Sequence, residues 1–244
     1  MSVLLLNLVI ASLIIMAGSI LQASTGLGVG LVIVPLLALI DLNYIPGPVI
    51  FGSIALSLLM TIQGRHHIDT TKLHWLVSGL VVGIFIGVAV LNHIPMQLVG
   101  MLFGVLIIVA VVLSYFKFRI HFNMTGLLMA GLVSGIMGTI AAIGAPVLAL
   151  LYQYHDVRTI RATLGFLYFL SSILMIGVLH VYYQFGVNEI KQGFMLMPGF
   201  ILGFILAQPI AKRLNEQFTR PIVLIICFFS ALFLVVKSMT SYIV

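Results

Sequence analysis

QASTGLGVGLVIVP, residues 22–35, places three alternate glycines, Gly26, Gly28 and Gly30, between two apolar runs, the second only about 14 residues long. GTIAAIGAP, residues 138–146, repeats the pattern ahead of a run of about 11 residues. A helix rises about 1.5 Å per residue and a bilayer core is about 30 Å thick, so neither short run crosses a membrane alone. Glycine and proline release backbone N–H and C=O groups that lipid cannot satisfy, so each break must face protein or a watered cavity. Breaks in corresponding places of two halves are the best sequence pointer to a central site in a membrane transporter.

The rest of the chain fits that setting. Of 244 residues, 62% are hydrophobic and 7% charged, against about 25% charged in soluble proteins, which leaves no room for a soluble domain. Unbroken apolar runs such as Val3 to Ile20 and Ile222 to Val236 exclude a β-barrel, whose strands alternate apolar and polar residues. An all-α integral membrane protein is therefore expected. Ten apolar segments fall at roughly 3–24, 28–41, 46–64, 73–92, 97–116, 124–140, 144–154, 160–183, 192–211 and 221–240, five on each side of the basic stretch Lys117 to His121. Gly30 lies over Gly144 and Ser57 over Ser171 at an offset of 114, while Gly79, Gly83 and Gly87 lie over Gly199, Gly203 and Ala207 at an offset of 120. This reads as a tandem duplication within one transmembrane domain, with an N-terminal repeat at 1–118 and a C-terminal repeat at 119–244. Each repeat holds about five helical segments and opens on broken or re-entrant first helices.

The net charge of +6 comes from lysines and arginines spread over short gaps, with no basic stripe and no interleaved aromatics, so no nucleic-acid partner is expected. If each repeat crosses an odd number of times, nine cations (Arg65, Lys72, Lys117, Arg119, Arg158, Arg161, Lys212, Arg213 and Arg220) share one side, against Lys191 and Lys237 on the other. Four crossings per repeat would split them six against five. The positive-inside rule thus selects two inverted repeats with both termini outside, in a multi-pass protein of the cell membrane, a bacterial cytoplasmic membrane above all. Full crossings and re-entrant hairpins leave the same loops on the same sides, so both stay open. The first 23 residues lack a basic n-region and an A-x-A site and read as a retained span.

Half-helices that begin near Gly28 and Gly144 offer unpaired N–H donors and a positive dipole end, an arrangement suited to a small anion. The candidate substrate contacts are Gln22, Ser24, Thr25, Gly26, Gly28 and Gly30 in the first break, and Thr139, Gly144, Ala145 and Pro146 in the second. Ser57 and Ser171 match across the repeats, and Arg161 stands at the cytoplasmic start of the eighth segment; Ser172 and Tyr168 are further polar candidates for the path. Gly79, Gly83 and Gly87, like Gly199 and Gly203, have the four-residue spacing of close helix packing. A leucine at Gly30 or Gly144 is accordingly expected to block the site at the modest cost of overpacking, whereas one at Gly83 should lower stability first.

All five acids, Asp41, Asp69, Asp156, Glu189 and Glu216, stand at segment ends or in loops, which argues against carboxylate-driven antiport and leaves electrogenic or loosely coupled efflux. His180 is the one histidine inside an apolar run. The group His66, His67, Asp69 and His74 fits no tetrahedral metal spacing, and neither metal nor cofactor is expected. No H-E-x-x-H, no nucleophile elbow and no paired membrane aspartates are present, so an enzyme is not expected. A non-transporting scaffold or accessory subunit is the competing reading, though it does not require matched breaks. The expected partners are the small anionic substrate and the lipid bilayer; a homodimer stays open.

The breaks Gly26-Leu-Gly28-Val-Gly30-Leu-Val-Ile-Val-Pro35 and Ile143-Gly144-Ala145-Pro146, each opening one duplicated half, resemble those of the TauE/SafE family of sulfite and organosulfonate exporter-like proteins. The likeness runs through nearly the full chain. Val29 separates two glycines that are usually adjacent in the family, and Ala145 stands where the family usually has glycine. The resemblance implies export of sulfite, an organosulfonate or a similar sulfur-containing anion by alternating access; composition and spacing on their own reach only a small anion.

Overall fold

A computed structural model describes residues 2–26, 30–116, 118–182, 184–211 and 216–243. They form ten α-helices and no strand: α1 (Ser2–Thr25), α2 (Gly30–Ile40), α3 (Gly47–Gly64), α4 (Leu73–His93), α5 (Met96–Phe116), α6 (Met124–Ala141), α7 (Ala145–Tyr152), α8 (Val157–Val181), α9 (Val187–Ala211) and α10 (Glu216–Ile243). Short 3₁₀ turns at Leu42–Tyr44 and Arg65–His67 flank α3. Each helix overlaps one of the ten apolar runs. Among the described residues, seven helices are long and apolar enough to cross a membrane, α10 adds a shorter apolar stretch at Leu224–Met239, and α2 and α7, at 11 and 8 residues, are too short.

Local chemistry sets several helix ends. Asn123 accepts a hydrogen bond from the Gly126 N–H at 2.8 Å and so caps α6; Asp156 caps α8 by accepting from Arg158 N and Thr159 N at 3.0 and 3.1 Å. At its other end α6 stops where Ala142 turns into the left-handed region at φ 56°, its N–H still bonded back to the Gly138 carbonyl. Pro35 lies inside α2, and its missing N–H releases the Leu31 carbonyl one turn earlier. The Cys227 thiol of α10 donates to that oxygen at 2.9 Å. A polar group that lipid would leave unpaired is thus satisfied from a helix 196 positions away.

The most extensive helix pairs join the two halves of the chain: α4 with α6, α1 with α9, α3 with α8, α5 with α10 and α3 with α9. Glycine makes the tightest of these possible. A Cβ at Gly79 or Gly83 would overlap the Leu128 or Leu132 carbonyl of α6, and one at Gly131 or Gly135 would overlap Leu76 or Leu80 of α4, so the two backbones touch reciprocally. On the other pair, a Cβ at Gly199 would lie 2.8 Å from the Ser12 carbonyl of α1, and one at Gly203 would lie 2.6 Å from that of Met16. Exchanging the halves maps α4–α6 onto α9–α1 and maps α3–α8 and α5–α10 onto themselves. The interior is apolar, and Leu37, Leu56, Phe103, Ile107, Tyr152 and Phe200 are among its fully enclosed side chains.

Candidate functional site

The two short helices bring their breaks into direct contact. Gly30, the first residue of α2, lies so close to the end of α6 that a Cβ there would overlap the Ala142 carbonyl oxygen. Gly144, just before α7, is held as tightly against α6, where a Cβ would lie 2.6 Å from the Ser134 carbonyl and 2.7 Å from its hydroxyl. Ser134 also donates to the Gly144 carbonyl at 2.9 Å, which fixes the turn. These contacts correct the expectation about leucine substitutions. At Gly30 and Gly144 the obstacle is backbone, as it is at Gly83, so all three would disturb the fold; close packing and site formation are the same feature here.

A cavity of about 60 Å³ opens beside the touching breaks. It draws on both halves: Gln22 and Gly30 come from the first break, Ser53 from α3, Gly144 and Ala145 from the second break, and Tyr168, Ser171 and Ser172 from α8. Its volume admits a few waters or one small oxyanion. Among the described residues, no lysine, arginine, histidine or carboxylate lines it. Its polar groups are uncharged, and the hydroxyls of Ser53, Ser134, Ser171 and Tyr168 spend their protons on backbone carbonyls. The N–H groups of Gly144 and Ala145 make no backbone hydrogen bond among the described residues, as expected at the start of a helix. The Ser172 hydroxyl engages none of the described residues, while Ser171 donates to the Tyr168 carbonyl at 3.1 Å and Ser53 to that of Ile50 at 2.8 Å. N–H and O–H dipoles without a fixed cation can hold an anion in a low-dielectric site while leaving it free to depart.

The other candidates from the sequence lie elsewhere. Thr139 is fully buried with its hydroxyl unpartnered among the described residues, but it packs against Gly87 of α4 and does not line the cavity. Ser24 is buried with its hydroxyl likewise unpartnered. Thr25 and Ser57 spend their hydroxyls on carbonyls of their own helices, those of Leu21 and of Ser53 and Ile54. Gly26, at φ 77°, needs glycine's freedom at the end of α1 and packs against Ile160 and Arg161. Pro146 occupies the first turn of α7, where its missing N–H costs nothing. Gly28 lies outside the described residues. Arg161 lines a different cavity, at the start of α8. Met60 was not legible as a site residue. It accepts a hydrogen bond from Gln22 Nε2 at 3.8 Å, and nothing marks such a methionine within an apolar helix.

Among the described residues, seven helices long and apolar enough to span, with two short ones whose breaks meet at an uncharged cavity, define a multi-pass α-helical membrane protein. The family model for the sulfite exporter TauE/SafE matches residues 10–234, and the chain belongs to that family. No curated protein and no solved structure matches it.

Proposed function

We propose that this protein is a secondary transporter that exports a small sulfur-containing anion across the cytoplasmic membrane by alternating access around the paired breaks, with no catalytic step. One observation carries the reading: a single cavity is lined by both breaks and, among the described residues, by no charged group, with the N–H groups at the start of α7 and the Ser172 hydroxyl as its donors. Its volume suits a sulfite-sized oxyanion better than a longer organosulfonate. The exchange-symmetric packing of the halves and the nine-against-two charge partition support inverted repeats, the first charged loop cytoplasmic and both termini outside.

Among the described residues no carboxylate lines the cavity, so the membrane potential is the natural drive, and it supplies about 2.3 kcal/mol per charge per 100 mV to expel a monovalent anion. The test is efflux of radiolabelled sulfite from proteoliposomes, with an organosulfonate and a carboxylate as competitors and a valinomycin-set potential. Sulfite efflux that rises with an inside-negative potential is the expected result. No flux of any sulfur anion would overturn the reading, and flux that ignores the potential but follows an imposed pH gradient would overturn its energetics.

A further inference from the structure

A second and larger cavity, about 190 Å³, lies between the end of α3 and the first turns of α8. Arg158, Arg161, His67 and Gln63 bring polar and cationic donors to it, and among the described residues no carboxylate lines it. Among the described residues neither guanidinium has an ion-pair partner. Both acids nearby are occupied: Asp156 caps α8, and Asp69 pairs with His155 at 3.7 Å. Arg161 is only partly exposed, and a cation withdrawn from water without a counter-ion is costly. An oxyanion placed there gains two planar guanidinium groups, whose fixed N–H forks match its oxygens.

The walls of this cavity are held by contact between helices. A Cβ at Gly64 would lie 2.7 Å from that of Ala162, and one at Gly165 would lie 2.8 Å from that of Met60. Met60 lines this cavity and Gln22 the central one, and the Gln22–Met60 hydrogen bond stands between them. Tyr168 of the central cavity donates to the Gly26 carbonyl at 3.2 Å, and Gly26 in turn packs on Arg161. Arg161 and Tyr168 are seven residues apart on α8, about 10 Å along its axis. The two cavities are therefore neighbours separated by side chains, with the fixed positive charge confined to one of them.

We infer that the arginine-lined cavity is a second anion site, which takes a small oxyanion such as sulfite and holds it next to the Gln22–Met60 partition before it reaches the central cavity. The inference rests on the transport reading above. Charge collects and concentrates the anion in the outer site, and the neutral inner site then carries it without trapping it.

Equilibrium binding of radiolabelled sulfite to the detergent-purified full chain, kept anaerobic, tests this. Two equivalents per chain are expected, one of them lost in the Arg158→Gln/Arg161→Gln double variant and kept, with weaker affinity for want of the guanidinium fork, in Arg161→Lys paired with native Arg158. In proteoliposomes the double variant should raise the half-saturating sulfite concentration for efflux at least tenfold. One equivalent in the native protein that persists in the double variant would overturn the second site while leaving the central one standing. Loss of copurified phosphatidylglycerol in the double variant, with sulfite binding unchanged, would assign the arginines to lipid headgroups and overturn it too. Absence of any sulfite binding together with absence of flux would remove the transport reading along with it. Retention in Arg161→Lys separates loss of charge from loss of fold.

Discussion

Gly30 and Ala142 meet backbone to backbone, the start of one broken helix resting on the carbonyl that closes the helix before the other break. Each break thus supplies a wall for its counterpart. Neither residue 30 nor residue 144 has room for a side chain in this arrangement.

Gly30→Ala is accordingly expected to lower the yield of monodisperse protein and the apparent Tm by more than a surface change would. The control is Gly177, where a Cβ would meet nothing within 4 Å. Gly177→Ala should be neutral or slightly stabilising, since alanine favours a helix by about 1 kcal/mol over glycine. Fluorescence-detected size exclusion and a thermal-shift assay read both. Equal behaviour of the two variants would contradict the tight contact.

Ser172→Ala removes a cavity hydroxyl that no other described residue engages. A hydrogen bond to a charged group is worth about 1.5–3 kcal/mol, which translates into roughly a ten- to hundredfold rise in the sulfite concentration needed for half-maximal efflux. Folded yield should not change. Ser78→Ala, whose exposed hydroxyl is tied to the His74 carbonyl, should alter neither quantity. Unchanged half-saturation in Ser172→Ala would move the substrate away from this part of α8.

Cys227 is fully buried with its thiol on the Leu31 carbonyl, so it should resist impermeant thiol reagents in the native protein. Cys227→Ala leaves that carbonyl unsatisfied at a cost of about 1–3 kcal/mol, and Cys227→Ser should recover most of it. Because the native thiol is hidden, cysteines introduced at Thr70 or Asn215 can report topology without removing it. Inverted repeats place both in the cytoplasm, unlabelled in intact cells. Labelling at 215 with none at 70 would refute the inversion.

Asp156 provides a pH-dependent check on the cap of α8. Hydrogen bonding to Thr159, and then to the backbone N–H of Arg158, holds its carboxyl below the usual carboxylate range. A carboxyl with a lowered folded pKa adds stability that is present above its unfolded pKa of about 3.9 and lost as pH falls through the folded value. Asp156→Ala should therefore melt earlier than the native protein at pH 7, by a small margin because the group is exposed, and the gap should close on acidification. A gap that persists below the folded pKa would show that the cap is not electrostatic.

Helix positions were legible in the sequence because a bilayer demands long apolar runs, and here charged or glycine- and proline-rich gaps separate them. The breaks were legible for the same reason, as runs too short to cross. Which helices touch was not legible, since Gly79, Gly83 and Gly87 announce close packing without naming Leu128 and Leu132 as the surface they meet. The cavity lining failed where one residue decides the face: Gly138 borders the cavity, whereas Thr139, about 100° further round the helix, points at Gly87. Arg161 was legible as a cation at a helix start, but its separation from the central cavity depends on Gln22 meeting Met60, 38 positions away.

The principal helix pairs each take one member from each half, so neither half owns its own core. A chain ending after α5 would expose the glycine face of α4 and the faces of α1, α3 and α5, and a second copy of such a chain would offer the surfaces needed to cover them. The pairing of these helices has the form of a two-fold assembly held in one chain, in which each half is covered by the other. The exchange does not extend to charge: α8 opens with Arg158 and Arg161, while the first turns of α3 carry no arginine.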